Sequence, residues 1–186
     1  MTVTSTPTTQ LLPTGTWNVD ASHSSIEFSV RHLMISKVKG SFKTFSGTVT
    51  IPEDPFQASI QVAIDPNSID TGDANRDNHL RSGDFFEVEK YPEAEYVSSS
   101  VRPQGDGYVV EGELSLHGVT RPVALDLDFN GTGGDPWGNT RAGFTATTEI
   151  NRREFGIDIT MPMETGGVVV GDKIKLTIEV ELVLAK

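Results

Sequence analysis

The chain contains no cysteine. That excludes disulfides, thiol nucleophiles and thiolate metal sites. Positive charge is scarce: 15 Lys and Arg stand against 26 Asp and Glu, a formal net charge of −11 over 186 residues. Nucleic-acid binding and polybasic membrane docking both rely on a dense basic surface, so this balance argues against each of them. Long apolar runs are missing as well, and none approaches the ~18 residues that span a bilayer. A secretory signal needs a positive start and an apolar stretch of about 7–15 residues, yet the first positive side chain is Arg31. The expected location is therefore cytoplasmic. Residues 1–14 are rich in Thr, with Leu11-Leu12 as an apolar pair, and read as a flexible tail ahead of a single domain over 15–186.

What is present is a β pattern. Hydrophobic residues make up 36% of the chain, and a chain of this length buries about 70% of its unfolded surface, enough for a core without staples. Glycine (18) and proline (10) point to many turns. The dominant period is two. Ile26, Phe28 and Val30 alternate with polar neighbours, and Ile60, Val62 and Ile64, then Val123, Leu125, Leu127 and Phe129, with polar residues or alanine. The strongest run is Ile174, Leu176, Ile178, Val180, Leu182 and Leu184. Alternation gives each strand one dry and one wet face. Between Val38 and Ile51 the parity slips, which predicts one long strand with a bulge near Lys43-Thr44. Further strands are expected over 16–20, 93–102, 107–117, 140–151 and 156–160. Gly105-Asp106-Gly107 signals a tight hairpin, and Gly131 to Gly138 a longer loop. Nine or ten short strands read as an antiparallel sandwich or barrel. One segment breaks the pattern: Asp73 can cap a short helix that Gly83 ends, with only Ala74 and Leu80 able to face a core.

Motifs for common chemistry are absent. No Gly-x-Ser-x-Gly elbow occurs, and His23, His32, His79 and His117 show no metal-ligand spacing. Gly131-Thr132-Gly133-Gly134 joins two strands rather than a strand and a helix, so it is no phosphate cradle. Arg31, Lys37, Lys39 and Lys43 share an acid-free stretch. They read either as the wet face of a strand or as a cationic rim for an anionic head group. The Phe and Met side chains on dry faces form either a solid core or the wall of an apolar pocket.

The motifs carry a resemblance from about Trp17 onward. Trp17-Asn18-Val19-Asp20-Ala21-Ser22-His23 leads to Val30-Arg31-His32-Leu33 and Val38-Lys39-Gly40-Ser41-Phe42. Asp70-Thr71-Gly72, Arg76-Asp77-Asn78-His79-Leu80, Asp84-Phe85-Phe86 and Tyr91-Pro92 follow. Leu116-His117-Gly118-Val119-Thr120-Arg121-Pro122 and Asn151-Arg152-Arg153-Glu154-Phe155-Gly156 complete the set. Together they resemble the YceI family of lipocalin-like, polyisoprenoid-binding proteins.

The resemblance implies an all-β fold: an extended antiparallel β-barrel with one short helix, here near 73–82. It implies a bound isoprenoid lipid, a polyprenyl pyrophosphate or an isoprenoid quinone, held as by a carrier, storage or sequestering protein. Homodimers are common in the family. It implies no reaction and so no catalytic residue; the histidine spacing and the charge balance lead to no expected metal, cofactor or nucleic-acid partner. The expected apolar pore is Phe28, Val30, Phe42, Phe45, Ile64, Leu80, Phe85, Phe86, Phe144, Met161 and Met163. Arg76, Asp77, His79 and Arg81 are the head-group candidates, with a rival role in pinning the helix to the barrel. Two other functions stay open. One is an enzyme acting on the held lipid through His32, His79 and Asp77. The other is a scaffold whose loops carry a partner site.

Overall fold

The computed structural model describes residues 12–161 and 169–186. Its strands are β1 (Gly15–Val19), β2 (Ser25–His32), β3 (Ser36–Phe42), β4 (Phe45–Ile51), β5 (Ser59–Ile64) and β6 (Ile69–Asp70). After helix α1 (Ala74–Arg81) come β7 (Ala94–Gln104), β8 (Gly107–Leu116), β9 (Val119–Gly134), β10 (Thr140–Asn151) and β11 (Val170–Leu184). They form one antiparallel sheet, ordered β1-β4-β5-β7-β8-β9-β10-β11-β2-β3-β6, and β1 also pairs with β11. That last pairing, Trp17 with Leu184 and Val19 with Leu182, closes an eight-stave barrel.

Three staves are broken at one level. β11 pairs β10 along one edge. Along the other it pairs β2 as far as Glu179 and β1 from Leu182, so β1 and β2 are halves of one stave. β3 and β4 form the next stave, and β5 and β6 the third. The breaks have local causes. Asp20 and Asp65 each cap a single 3-10 turn by accepting a backbone N–H, from Ser22 and Asn67 respectively. Lys43 and Thr44 then bond across to the break at Asp65–Ser68: Lys43 N–H donates to the Ser68 carbonyl, and Asp65 N–H to the Thr44 carbonyl. The irregularity expected at Lys43-Thr44 is thus present, as a gap between two ladders of one stave rather than a bulge within a ladder. It switches the inward parity from even (Phe42) to odd (Val49, Ile51), as the hydrophobic pattern requires.

The β2–β3 and β8–β9 turns, the β10–β11 connection and α1 lie at one end, the helix end. The β7–β8 and β9–β10 turns lie with Gly15 and Leu184 at the other, the terminal end. At the terminal end fully buried Trp17 packs with Ile51, Ala142 and Leu182. A second cluster joins Tyr96, Val110, Leu114, Val123 and Phe155. There the Tyr96 hydroxyl donates to the Val123 carbonyl at 2.9 Å. Gly112 makes room for it: a Cβ at that position would stand 2.5 Å from the phenol oxygen.

Several sequence expectations change. The Gly105-Asp106 hairpin forms, with Gly105 at φ 57. Gly131 to Gly134, expected in a loop, belong to β9. A register shift beside Gly143 and the φ of 136 at Gly131 keep them in the ladder. The true turn, 135–139, is organised by Asp135, which accepts the N–H groups of Trp137 and Asn139. No strand forms over 156–160. Gly156 at φ 72 ends a 3-10 turn over Arg152–Phe155, and the Ile157 carbonyl is taken by the Arg152 side chain. In α1, Asp73 caps as expected by accepting from Asn75 and Arg76, but Ser82 rather than Gly83 closes the helix. Ala74 is exposed, and the inward contacts come from Leu80 and buried Asp77.

Candidate functional site

The barrel encloses a cavity of about 330 Å³. Strand alternation builds it. The even positions of β11 from Ile174 to Leu182 and the odd positions of β9 from Val123 to Phe129 all face in. The lining along β11 runs from Val170 to Leu182, about 40 Å of strand at ~3.3 Å per residue. A barrel tilt near 40° shortens this to about 30 Å along the axis. Among the described residues, the lining side chains that carry polar atoms are Tyr96, Tyr108, Thr148 and Arg152.

Eight expected pore residues line this lumen: Phe28, Val30, Phe42, Ile64, Leu80, Phe85, Phe86 and Phe144. Phe28, Phe42 and Phe86 form a run of aromatic contacts, with centroids 5.6 Å and 5.8 Å apart. Nearer the terminal end Phe144 stacks on Phe129 at 5.1 Å. Phe45 opens β4 just past the stave break and is not part of the wall, although it pairs with Ile64. Met161 follows the irregular 157–160 segment and also lies off the wall. Met163 lies outside the described residues.

The four head-group candidates meet around α1 but none lines the lumen. Asp77 accepts from the N–H and hydroxyl of Thr71. Arg76 donates from Nε to the Thr71 hydroxyl and from Nη2 to the Thr71 carbonyl. Arg81 reaches the carbonyls of Asn67 and Ile69. His79 pairs with Asp84 at 2.8 Å on the surface. These bonds fasten the helix to β6 and the connections flanking it. His32, suspected with His79 and Asp77 of proton exchange, is likewise off the wall.

Sequence reasoning singled out the motif around Arg152 but gave that residue no role. It is only 4% exposed and stands on the lumen wall at the helix end. Its Nε donates to the Gly171 carbonyl at 3.0 Å and its Nη1 to that of Ile157 at 2.7 Å. Nη2 has no aligned hydrogen-bond partner. The Asp172 carboxylate is 3.1 Å away but out of line, and it also receives Arg153 Nε at 2.9 Å. Burial pushes the Arg152 pKa below its usual value, and Asp172 partly opposes this. A buried cation with an unfilled donor is costly unless something pairs with it.

Outside the barrel, Arg141 gathers three carboxylates at the terminal end. It stands 2.6 Å from Asp135, 2.8 Å from Asp20 and 2.6 Å from Glu181. Asp20, His23 and Glu181 are close enough to share a metal ion, but the Arg141 guanidinium already neutralises both carboxylates of that group. Hydrogen bonds from Ser22, Arg141 and His23 hold Asp20 well below the usual carboxylate range, and Arg141 does the same for Asp135.

A YceI-like domain model matches residues 17–182. The chain belongs to the YceI family. A UPF0312 protein of Serratia proteamaculans is 47% identical over 136 residues, covering 73% of this chain and 71% of that protein. Protein YceI of Salmonella newport is 43% identical over 139 residues, 74% of this chain and 73% of its own. Among solved structures, Burkholderia cenocepacia BcnA superposes with a TM-score of 0.75 at 25% identity, covering 88% of this chain and 98% of its own. The Campylobacter jejuni YceI protein gives 0.72 at 29%, covering 84% and 90%. A Saccharophagus degradans structure described as a polyisoprenoid binding domain shares the fold, with a TM-score of 0.66 at 18% identity over 91% of this chain and 98% of that one. Among the described residues, no helix is long and apolar enough to cross a membrane.

Proposed function

We propose that this protein binds a long-chain isoprenoid lipid in the barrel lumen, as a carrier, store or sequestering protein. The carrying observation is the lumen itself: long, about 330 Å³ in volume and apolar along nearly its whole wall. An apolar cavity of about 150 Å³ already stays dry and takes up benzene. At ~24 cal/mol per Å³, an empty lumen of this size forgoes on the order of 8 kcal/mol of packing. A hydrocarbon that fills the lumen recovers part of this packing, before the costs of association are subtracted. The proportions suit one extended chain rather than a compact ligand. The Saccharophagus domain supports the isoprenoid class by its description. Arg152, the cation on the wall, orients the occupant with its polar end toward the helix end.

Solvent extraction of the protein purified from its own host, followed by mass spectrometry, tests this reading. The expected result is one dominant isoprenoid at near-stoichiometric yield. Arg152→Met keeps the side-chain stem and should shift the extract away from species with oxygen-rich ends. A repeatedly empty extract, with no uptake of an added prenyl alcohol, overturns the proposal.

A further inference from the structure

We infer that the β2–β3 hairpin is a membrane-docking element, and that it seats the helix end of the barrel on an anionic bilayer. The hairpin tip is Leu33-Met34-Ile35. Ile35 is 85% exposed and Met34 46%, an unusual position for two large apolar side chains. The backbone there is strained. Leu33 and Met34 adopt φ 54 and φ 61, a left-handed conformation that tight turns normally give to Asn or Gly. Water-exposed apolar side chains on a strained turn serve neither solubility nor stability, which points to a use outside the folded chain.

Charge identifies the partner. Arg31 and Lys37 sit directly opposite each other on the outer face of the hairpin. Lys39 faces Ser29, and across the neighbouring strand Ser29 faces Lys175. Lys173 flanks the group, Lys43 lies farther from the tip, beyond Phe42, and all six are exposed. Like charges placed opposite one another cost stability unless an external anion relieves them. Among the described residues, Arg31, Lys37, Lys39, Lys43 and Lys175 enter no ion pair, while Lys173 stands 3.8 Å from Glu149. The acids on this flank are Glu149, which faces Lys175 across β10 and β11 and neighbours Lys173, Asp172, which is paired with Arg152 and Arg153, and Glu27, deeper along β2. The net charge of −11 argues against a basic dock for the chain as a whole, yet folding collects these cations on one flank beside an apolar tip. An anionic lipid surface matches both features. The tip enters the interface while the lysines meet phosphate head groups.

The placement joins docking to the lumen. Leu33 N–H donates to the Val169 carbonyl at 2.8 Å, and the adjoining Val170 lines the cavity. Docking through the hairpin therefore sets the aromatic end of the lumen against the bilayer.

Flotation of the full chain with phosphatidylglycerol–phosphatidylcholine vesicles tests the inference. Binding is expected at low salt, with loss as salt rises and at least about tenfold weaker binding to pure phosphatidylcholine, given roughly fivefold per basic side chain. Lys37→Glu with Lys39→Glu should weaken binding at least about tenfold. Met34→Ser with Ile35→Ser should weaken it comparably. Trp137→Ser, at an exposed tryptophan of the terminal end, should leave it unchanged. Thermal melts check that each variant stays folded. No binding by the wild type at low salt, or binding by both hairpin variants as strong as that of the wild type, overturns the inference. The readout needs no bound lipid, so it stands or falls separately from the isoprenoid proposal.

Discussion

The two ends of the barrel solve opposite problems. The terminal end is tightly packed: Trp17 is fully buried against Ile51, Ala142 and Leu182, and Arg141 ties together carboxylates of the β1–β2 break, the β9–β10 turn and β11. The helix end carries the exceptions to the strand pattern. It has a one-off helix, a buried arginine with an unfilled donor and an apolar hairpin tip. The contrast teaches where this fold keeps its stability and where it keeps its chemistry. Unsatisfied groups gather at the end where a ligand and a surface would satisfy them.

The largest expected effect breaks the terminal end. Trp17→Ala should cost about 3–5 kcal/mol in urea denaturation and lower Tm by roughly 10 °C. Gly112→Ala, in the cluster between the ends, drives a Cβ against the Tyr96 hydroxyl and the Val97 carbonyl and should cost about 1–3 kcal/mol. Thr148→Phe fills the lumen between the ends. It should lower co-purified lipid about tenfold while Tm holds or rises, because the void it occupies is already there.

A pH series sharpens the contrast further. Asp20 and Asp135 have folded pKa values below the ordinary 3.8. Their stabilisation is complete above that value and is lost as pH falls toward the folded values. Stability should therefore drop below about pH 4. Arg141→Met should lower Tm at pH 7 and flatten this acid limb, since Arg141 is the first cause of the Asp135 shift and the second, after Ser22, for Asp20. The smallest effect belongs to the helix end. Arg76→Ala removes two bonds to Thr71. It should speed amide exchange over 71–81 while global stability changes by less than about 1 kcal/mol.

Strand alternation made most of the barrel legible, because period two maps directly onto inward and outward faces. Ile174 to Leu182 line the lumen as the pattern says. Even the parity slip near Lys43 foretold a real break. What stayed hidden depended on side chains that override local preference. The Arg152 side chain occupies the Ile157 carbonyl and helps suppress a strand over 156–160, and Thr71 draws Asp77 inward where an alanine was expected. The charged candidates on α1 stood out in the sequence as polar residues on a helix. Their hydrogen bonds run to Thr71, Asn67, Ile69 and Asp84, and only the fold shows those partners. Arg152 was overlooked for the converse reason: an arginine reads as surface until its surroundings are known.

The pairing of β1 with β11 sets the order of events in folding. Those strands come from opposite ends of the described chain, so this contact carries one of the largest loop-closure costs in the molecule. Until Trp17 meets Leu184 there is no enclosed lumen, only a curled sheet with a greasy inner face. A barrel so dependent on distant contacts folds in about milliseconds to seconds rather than microseconds. A hydrocarbon present during that interval can lie on the open sheet and be walled in when the last seam closes. Loading would then be a folding step, and refolding in the presence of lipid would fill the protein faster than soaking the finished barrel.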